Sequence, residues 1–363
     1  MAELSRISLP APEMDPMIWN RLPEVILEHV LSFLPLKIFW TLRSTCKHFK
    51  SLQFSSDFIS KHSSSSPPIF SFILLSHPQF DRKYALYDSS LHVWKSPPRF
   101  LSCIPSSSLL ASSHGLLCFS LSASSSFLIH NIISSSSTIV QLPSTPFPFY
   151  LLTLVLSPNG FKIFTLESSS GRAFVYHSEN QAWHQFDRID GFLIDHSQQE
   201  GAYFNGSLYF PSQEPFSVIR FNLENGNWDR PRFDLPGDLV FGRLLSNGDE
   251  KLYLIGGIGL NGISRMMKVW ELVGGDKWVE VTSVPEAMCR KFMAVCYHNY
   301  EHVYCFWHED LICVCCYTWP EILYLKVSRR RWHWLSKCPL LPERWSCGFR
   351  WFSLVPNLHA SLL

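Results

Sequence analysis

Two hydrophobic rhythms divide this chain. Between residue 17 and about residue 57, apolar side chains recur at helical spacing. Leu22, Ile26, Val30, Phe33 and Leu34 fall three or four apart and share one stripe. Pro23 suits the first turn of that helix, where its missing N–H has no partner to lose, and Pro35 stops it. A second helix is predicted to carry Ile38, Phe39, Leu42, Cys46 and Phe49, with Arg43, Lys47 and Lys50 turned to water. Some 40 residues bury too little apolar surface for comfortable stability alone, so the stripe must cover its own neighbours, the following domain or another protein.

From about residue 66 the helical period disappears. Short apolar runs alternate with Ser-, Pro- and Gly-rich breaks, as in a chain of many short strands. The serine tracts at 63–66, 106–108, 124–126 and 134–137 read as surface turns. Six units emerge, ending at Trp94, Val140, Trp183, Trp228, Trp278 and Trp332, with spacings of 46, 43, 45, 50 and 54 residues. A period of about 45–50 residues built from short strands marks the blades of a propeller. The fifth unit adds Gly256-Gly257 directly after Leu252-Tyr253-Leu254-Ile255. In four units the turn before the final aromatic is short and polar, for example Glu224-Asn225-Gly226-Asn227, which suits a tight hairpin. The stretch Cys347–Phe352 is placed as a closing strand, and the tryptophans as fillers between blades.

The predicted organisation is a flexible N-terminal segment over 1–16, a helical domain over 17–60, an all-β propeller of about six four-stranded blades over 66–355, and a C-terminal tail over 356–363.

The run from Leu22-Pro23 through Ile26-Leu27 to Leu34-Pro35, followed by Leu42-Arg43-Ser44-Thr45-Cys46-Lys47-His48-Phe49, closely resembles an F-box. The resemblance covers about 40 residues, and several fixed spacings agree at once. It implies docking on the Skp-type adaptor of a Skp–cullin–F-box ubiquitin ligase, and through that adaptor on cullin. By the same resemblance Leu22, Pro23, Ile26, Leu27, Val30, Leu34 and Pro35 form the adaptor contact. Trp40 stands where smaller aliphatic residues are commoner, which implies a somewhat different packing of the second helix. The six units resemble Kelch repeats, and an F-box followed by Kelch-like blades is an arrangement common in plants. The implied protein is a non-catalytic substrate receptor whose propeller holds an unknown target protein for ubiquitination.

Composition narrows the alternatives. Lys plus Arg number 31 against 30 acidic residues, so no broad charge favours nucleic acid or an anionic membrane. The first 16 residues lack the basic start and apolar core of a secretion signal, and no apolar run approaches the ~20 residues that span a bilayer. A cytoplasmic or nuclear protein is expected, with its 11 cysteines reduced. Asn205-Gly206-Ser207 then reads as a hairpin turn rather than a glycosylation site.

Other signatures in the chain lack the context their chemistry needs. Gly257-Ile258-Gly259-Leu260-Asn261-Gly262 matches the dinucleotide fingerprint, but a strand rather than a helix follows it. Cys313, Cys315 and Cys316 lie near His298, His302 and His308 yet lack paired zinc spacing, and alternation sends Cys313 and Cys315 to one sheet face and Cys316 to the other. Ser44-Thr45-Cys46-Lys47 fits a serine-acylase pattern without its partner motifs. The scattered His114, His177, His184 and His196 form no candidate triad, and Arg329-Arg330-Arg331 reads as a solvated hairpin tip. No catalytic residue, cofactor or metal is therefore expected. Two rival functions stay open: a propeller that binds or converts a small molecule at its channel mouth, and a scaffold that binds the adaptor without delivering a degraded client. Phe147, Phe149 and Tyr150 could serve either as loop contacts or as packing residues.

Overall fold

A computed structural model describes residues 17, 21–65, 71–80, 84–96, 101, 107–121, 125–144, 147–168, 170–188, 199–212, 216–341, 344–358, 360 and 362. The chain divides into two compact units, Met1–Ile69 and Phe70–Leu363. The expected flexible segment over 1–16 lies outside the described residues.

In the first unit the helix α1 (Glu24–Ser32) starts one position later than the proline argument suggests. Pro23 is its N-cap, with ψ 141°, and its carbonyl accepts from the N–H of Ile26 at 2.9 Å and of Leu27 at 3.1 Å. Pro35 closes this element and caps the next one, α2 (Leu36–Leu42). The single second helix expected through Phe49 is in fact two. Ser44 and Thr45 donate their hydroxyls to the carbonyls of Thr41 and Leu42 at 2.7 and 2.6 Å, which competes with helix continuation. Cys46 then caps α3 (Lys47–Leu52), its sulfur accepting from the Phe49 N–H at 3.4 Å. A fourth helix, α4 (Ser56–Ser65), absorbs most of the serine tract at 63–66 that was expected to form a turn.

These short helices close over a core of Leu31, Leu36, Phe39, Leu52 and Phe58, all at most 5% exposed. The Phe39 and Phe58 rings lie 4.8 Å apart. The His62 ring, buried beside them, places Nε2 2.9 Å from the Leu34 carbonyl. The Trp40 side chain lies outside the described residues.

The second unit is a six-bladed β-propeller in which each blade is a four-stranded antiparallel sheet. Blade 1 contains β1 (Phe72–Ser76), β2 (Tyr84–Asp88) and β3 (Val93–Lys95). Blade 2 contains β4 (Ser107–Ser113), β5 (Leu116–Leu121), β6 (Ser126–Asn131) and β7 (Ser136–Gln141). Blade 3 contains β8 (Phe149–Ser157), β9 (Gly160–Glu167), β10 (Ala173–His177) and β11 (Ala182–Phe186). Blade 4 contains β12 (Ala202–Phe204), β13 (Ser207–Ser212), β14 (Ser217–Asn222) and β15 (Trp228–Asp229). Blade 5 contains β16 (Leu239–Ser246), β17 (Leu252–Leu260), β18 (Ile263–Val273) and β19 (Lys277–Ser283). Blade 6 contains β20 (Val303–His308), β21 (Leu311–Cys316), β22 (Trp319–Lys326) and β23 (Arg331–Trp334).

The last strand, β24 (Arg350–Leu354), returns to blade 1 and pairs with β1 from Phe72↔Leu354 to Ser76↔Arg350. The ring is thus closed by joining its two ends, as the Cys347–Phe352 stretch suggests. Two histidines lock the joint. His308 bridges Ser89 Oγ and Ser353 Oγ, both at 2.9 Å. His77 stacks on Phe349 with ring centroids 4.3 Å apart. Residues after β24 do not trail free: Leu358 and Ala360 are buried, and Asn131 donates its amide to the Ala360 carbonyl.

The tryptophans do more than fill space. Trp94 Nε1 donates to the Ser336 carbonyl at 3.1 Å, Trp183 to Gln141 at 2.7 Å and Trp228 to Asp187 at 2.9 Å. Each therefore ties its blade to the preceding one, an amphipathic use of indole. Trp278 and Trp332 are buried without a hydrogen-bond partner for the indole nitrogen.

The glycine pair serves close packing rather than a turn. A Cβ at Gly256 would lie 2.5 Å from Leu239 Cδ2, and one at Gly257 2.4 Å from Phe241 Cε1. The serine tracts at 106–108, 124–126 and 134–137, expected as turns, contribute in part to β4, β6 and β7.

Antiparallel meanders put alternate connections at opposite ends of the ring. One end carries turns of two to five residues, such as 114–115, 205–206 and 223–227. Between blades the other end carries long connections: 96–106, 142–148, 187–201, 230–238, 284–302 and 335–349. The connection 284–302 includes a helix that the sequence reading missed, α5 (Glu286–Cys296). Cys289, Phe292, Met293 and Cys296 form its buried stripe, a helical period hidden among strands.

Candidate functional site

The helical unit presents apolar side chains above a core that is already complete. Ile26 is 49% and Val30 39% exposed, one helical turn apart on α1, and Pro23 at the N-cap is exposed as well. Leu22, Leu27, Leu34 and Pro35 are half-buried, so none of the seven sequence-selected positions is lost to the interior. Phe33 follows at 55% exposed. Val25, Ile38 and Phe54, at 68%, 48% and 63% exposed, are further open apolar side chains on this unit. No sequence signal separates them from core positions, because an apolar residue in an amphipathic helix is read as buried by default.

Burying one such side chain is worth roughly 1.5–3 kcal/mol before association costs. Glu24 and His48 pair at 3.1 Å on the same unit. With Glu28 they form the only cluster of three potential metal-ligand side chains among the described residues, and Glu24 is exposed.

The propeller offers a second site, its axial channel. The strands β4, β12, β16, β20 and β24, with residues 199–201, line a cavity of about 150 Å³. Most polar groups at its wall are consumed in joining blades. Gln199 donates to the carbonyls of Leu244 and Cys305 at 3.1 and 3.2 Å and accepts from the Cys305 N–H at 2.8 Å. Ser112 Oγ donates to the Ser353 carbonyl at 2.7 Å, and Ser246 Oγ to that of Tyr203. Tyr304 donates its hydroxyl to the Phe349 carbonyl at 3.0 Å and accepts from the Trp351 N–H at 2.9 Å. Glu200 and Arg350 also line the cavity. Burial pushes the Glu200 carboxyl up to about 8, against the opposing pull of the Arg350 charge. Glu200 was not among the sequence-selected residues, and its chemistry comes wholly from its place on the axis.

The other motifs resolve into packing. Asn261 and Gly262 form the β17–β18 hairpin with φ 51° and 74°, and strand follows where a dinucleotide site needs a helix. Asn205 and Gly206, with φ 46° and 73°, likewise turn β12 into β13. Cys313 and Cys315 pack toward blade 1 while Cys316 packs toward blade 5, as strand alternation requires. The described cysteines are free thiols, and burial pushes those of β21 upward. Phe147 is a packing residue, edge-on to Phe174 at 5.1 Å, and Phe149 and Tyr150 join the cores on either side of blade 3.

Comparison with known proteins agrees with both units. Residues 19–61 match the F-box domain. An F-box/kelch-repeat protein of Arabidopsis thaliana is 50% identical over 99% of this chain and 93% of its own length. The protein ABERRANT PANICLE ORGANIZATION 1 of Oryza sativa subsp. japonica is 24% identical over 96% of this chain and 90% of its own. F-box only protein 6 of Arabidopsis thaliana is 26% identical over 77% of this chain and 61% of its own. With an F-box at one end, six blades at the other and a relative of that identity along nearly its whole length, the chain belongs to the plant F-box/kelch-repeat family.

Proposed function

We propose that this protein is the substrate-recognition subunit of a Skp–cullin–F-box ubiquitin ligase. The helical unit docks on the Skp-type adaptor through Leu22, Pro23, Ile26, Leu27, Val30, Leu34 and Pro35, and the propeller holds a target protein. The observation that carries this is the exposure of Ile26 and Val30 on a helix whose unit already has a closed core. An apolar surface left over after the core is satisfied is the mark of a partner site. The protein itself breaks no bond. It works by tethering, which raises the effective concentration of target lysines at the conjugating enzyme.

The target is recognised at the end of the propeller that carries the long inter-blade connections, because two- to five-residue turns leave little side-chain variety at the other. The experiment is affinity purification of the full chain from plant cells under proteasome inhibition. Adaptor and cullin are expected with the wild type and absent when Leu22 and Ile26 are replaced by Asp. Retention of both by that variant rejects the contact set. A bound client that accumulates when this protein is removed identifies a receptor, whereas a client that disappears identifies a protective scaffold.

A further inference from the structure

The axial cavity holds two opposite charges that do not meet. Glu200 and Arg350 both line it, yet no ion pair within 4.0 Å joins them. Among the described residues no hydrogen bond reaches the Glu200 carboxyl, whereas Gln199, Ser112, Ser246 and Tyr304 beside it are engaged. The Arg350 guanidinium gives one bond, Nη2 to the Leu110 carbonyl at 3.1 Å, and lies 5.2 Å from the Phe352 ring centroid. The rest of its five N–H donors remain for something else. Both side chains are half-buried at the cavity wall, so their unused polar atoms stay open to whatever enters the channel.

We propose that the axial channel is a carboxylate-binding site, in which Arg350 grips the anion, Glu200 donates its acid hydrogen to it, and Trp307 and Phe306 contact the organic body. The donor inventory selects the anion. At neutral pH the carboxyl of Glu200, raised by burial, is largely an O–H donor. Beside a guanidinium cation this gives a site rich in donors with a net charge of one. A single carboxylate balances that charge and matches the planar guanidinium fork.

The groups facing Glu200 from neighbouring elements hold their charge. Arg350 on β24 is a cation. Cys118 on β5, Tyr203 on β12, and Tyr304 and Cys305 on β20 are all pushed upward by burial and stay neutral. Ionisation of Glu200 is then the event that expels the ligand, and affinity should fall about tenfold between pH 7 and pH 9. The carboxylate can belong to a small aromatic acid or to an acidic side chain of a bound protein. The site is independent of the adaptor contact and remains if that contact is disproved.

The test is titration calorimetry on the full chain with three probes. These are phenylacetate, its neutral isostere phenylacetamide, and an acetylated, amidated peptide with one glutamate. Phenylacetate or the peptide should bind and phenylacetamide should not. The stronger of the two acids identifies the source as a small molecule or as a protein side chain. Glu200→Gln, which keeps a donor, should bind at pH 7 and lose the pH dependence. Arg350→Gln should weaken binding at least tenfold at an unchanged melting temperature. Should Arg350→Gln fail to fold, Glu200→Gln and the acid–amide comparison decide alone. Equal binding of acid and amide, silence of both acids at millimolar concentration, or a pH dependence that survives Glu200→Gln overturns the proposal.

Discussion

The two units treat their apolar residues in opposite ways. In the propeller, inner faces are sealed by neighbouring blades, so Leu117, Ile163, Ile219, Ile255 and Leu323 are all at most 1% exposed. Exposed apolar residues such as Ile139, Val93 and Val279 sit on different outer strands. In the helical unit five of the described apolar residues are buried, while Val25, Ile26, Val30, Phe33, Ile38 and Phe54 remain in solvent within a 30-residue span. Blades complete one another around a ring, whereas the helices have no repeat to complete them. The difference separates a region that satisfies itself from one that leaves part of its apolar surface open.

The contrast can be broken at its core. Phe58→Ala removes a fully buried ring from the small unit and should cost about 3–5 kcal/mol there. Hydrogen exchange should report a melted helical unit beside a fully protected propeller. Loss of protection in the blades as well would mean that the units do not fold separately.

Acid should strike the propeller's closure. Burial holds the His308 ring down to about 4, against 6.5 for an unrestrained histidine. Above pH 6.5 both states are neutral and the group has no effect. As pH falls from 6.5 toward 4 the unfolded chain takes up a proton that the folded ring refuses, so stability drops, by about 3 kcal/mol in all. His62 in the helical unit is lowered in the same direction by its own burial. His308→Asn should flatten the acid slope of propeller melting while leaving that of the helices intact.

The smallest effect distinguishes stapled from unstapled blades. Trp183→Phe keeps much of the ring and loses the bond to the Gln141 carbonyl, for a cost of about 1 kcal/mol beyond the packing change. Trp278→Phe deletes an indole nitrogen that has no hydrogen-bond partner and should cost less. Equal losses in thermal unfolding would show that the indole bonds do not tie the blades.

Most of the fold was legible in the sequence because its determinants repeat. Unit ends spaced 43 to 54 residues apart, a tryptophan at each except Val140, together with polar hairpins and an apolar C-terminal stretch, are enough to place six blades and their closure. The failures are local. Ser44 and Thr45 broke a helix through side-chain bonds to the preceding turn, which apolar periodicity does not register. The helix α5 was masked by the strand pattern on either side, although Cys289, Phe292, Met293 and Cys296 carried its period.

The stripe from Leu22 to Pro35 was selected on fixed spacings. The exposure of Val25, Ile38 and Phe54 carries no such signal, since exposure is a property of the packed unit. Glu200 was silent for a similar reason: only the closed ring gives a lone carboxyl a desolvated setting and an arginine 150 residues away in the chain as its neighbour.

The central claim is that the exposed face of α1 belongs to the adaptor. The direct measurement is the dissociation constant of the full chain for a purified Skp-type adaptor, compared with Ile26→Asp/Val30→Glu. Both positions are open to solvent, so the variant should melt like the wild type and yet bind at least 100-fold more weakly, equivalent to about 2.7 kcal/mol. An unchanged dissociation constant in a folded variant would contradict the claim.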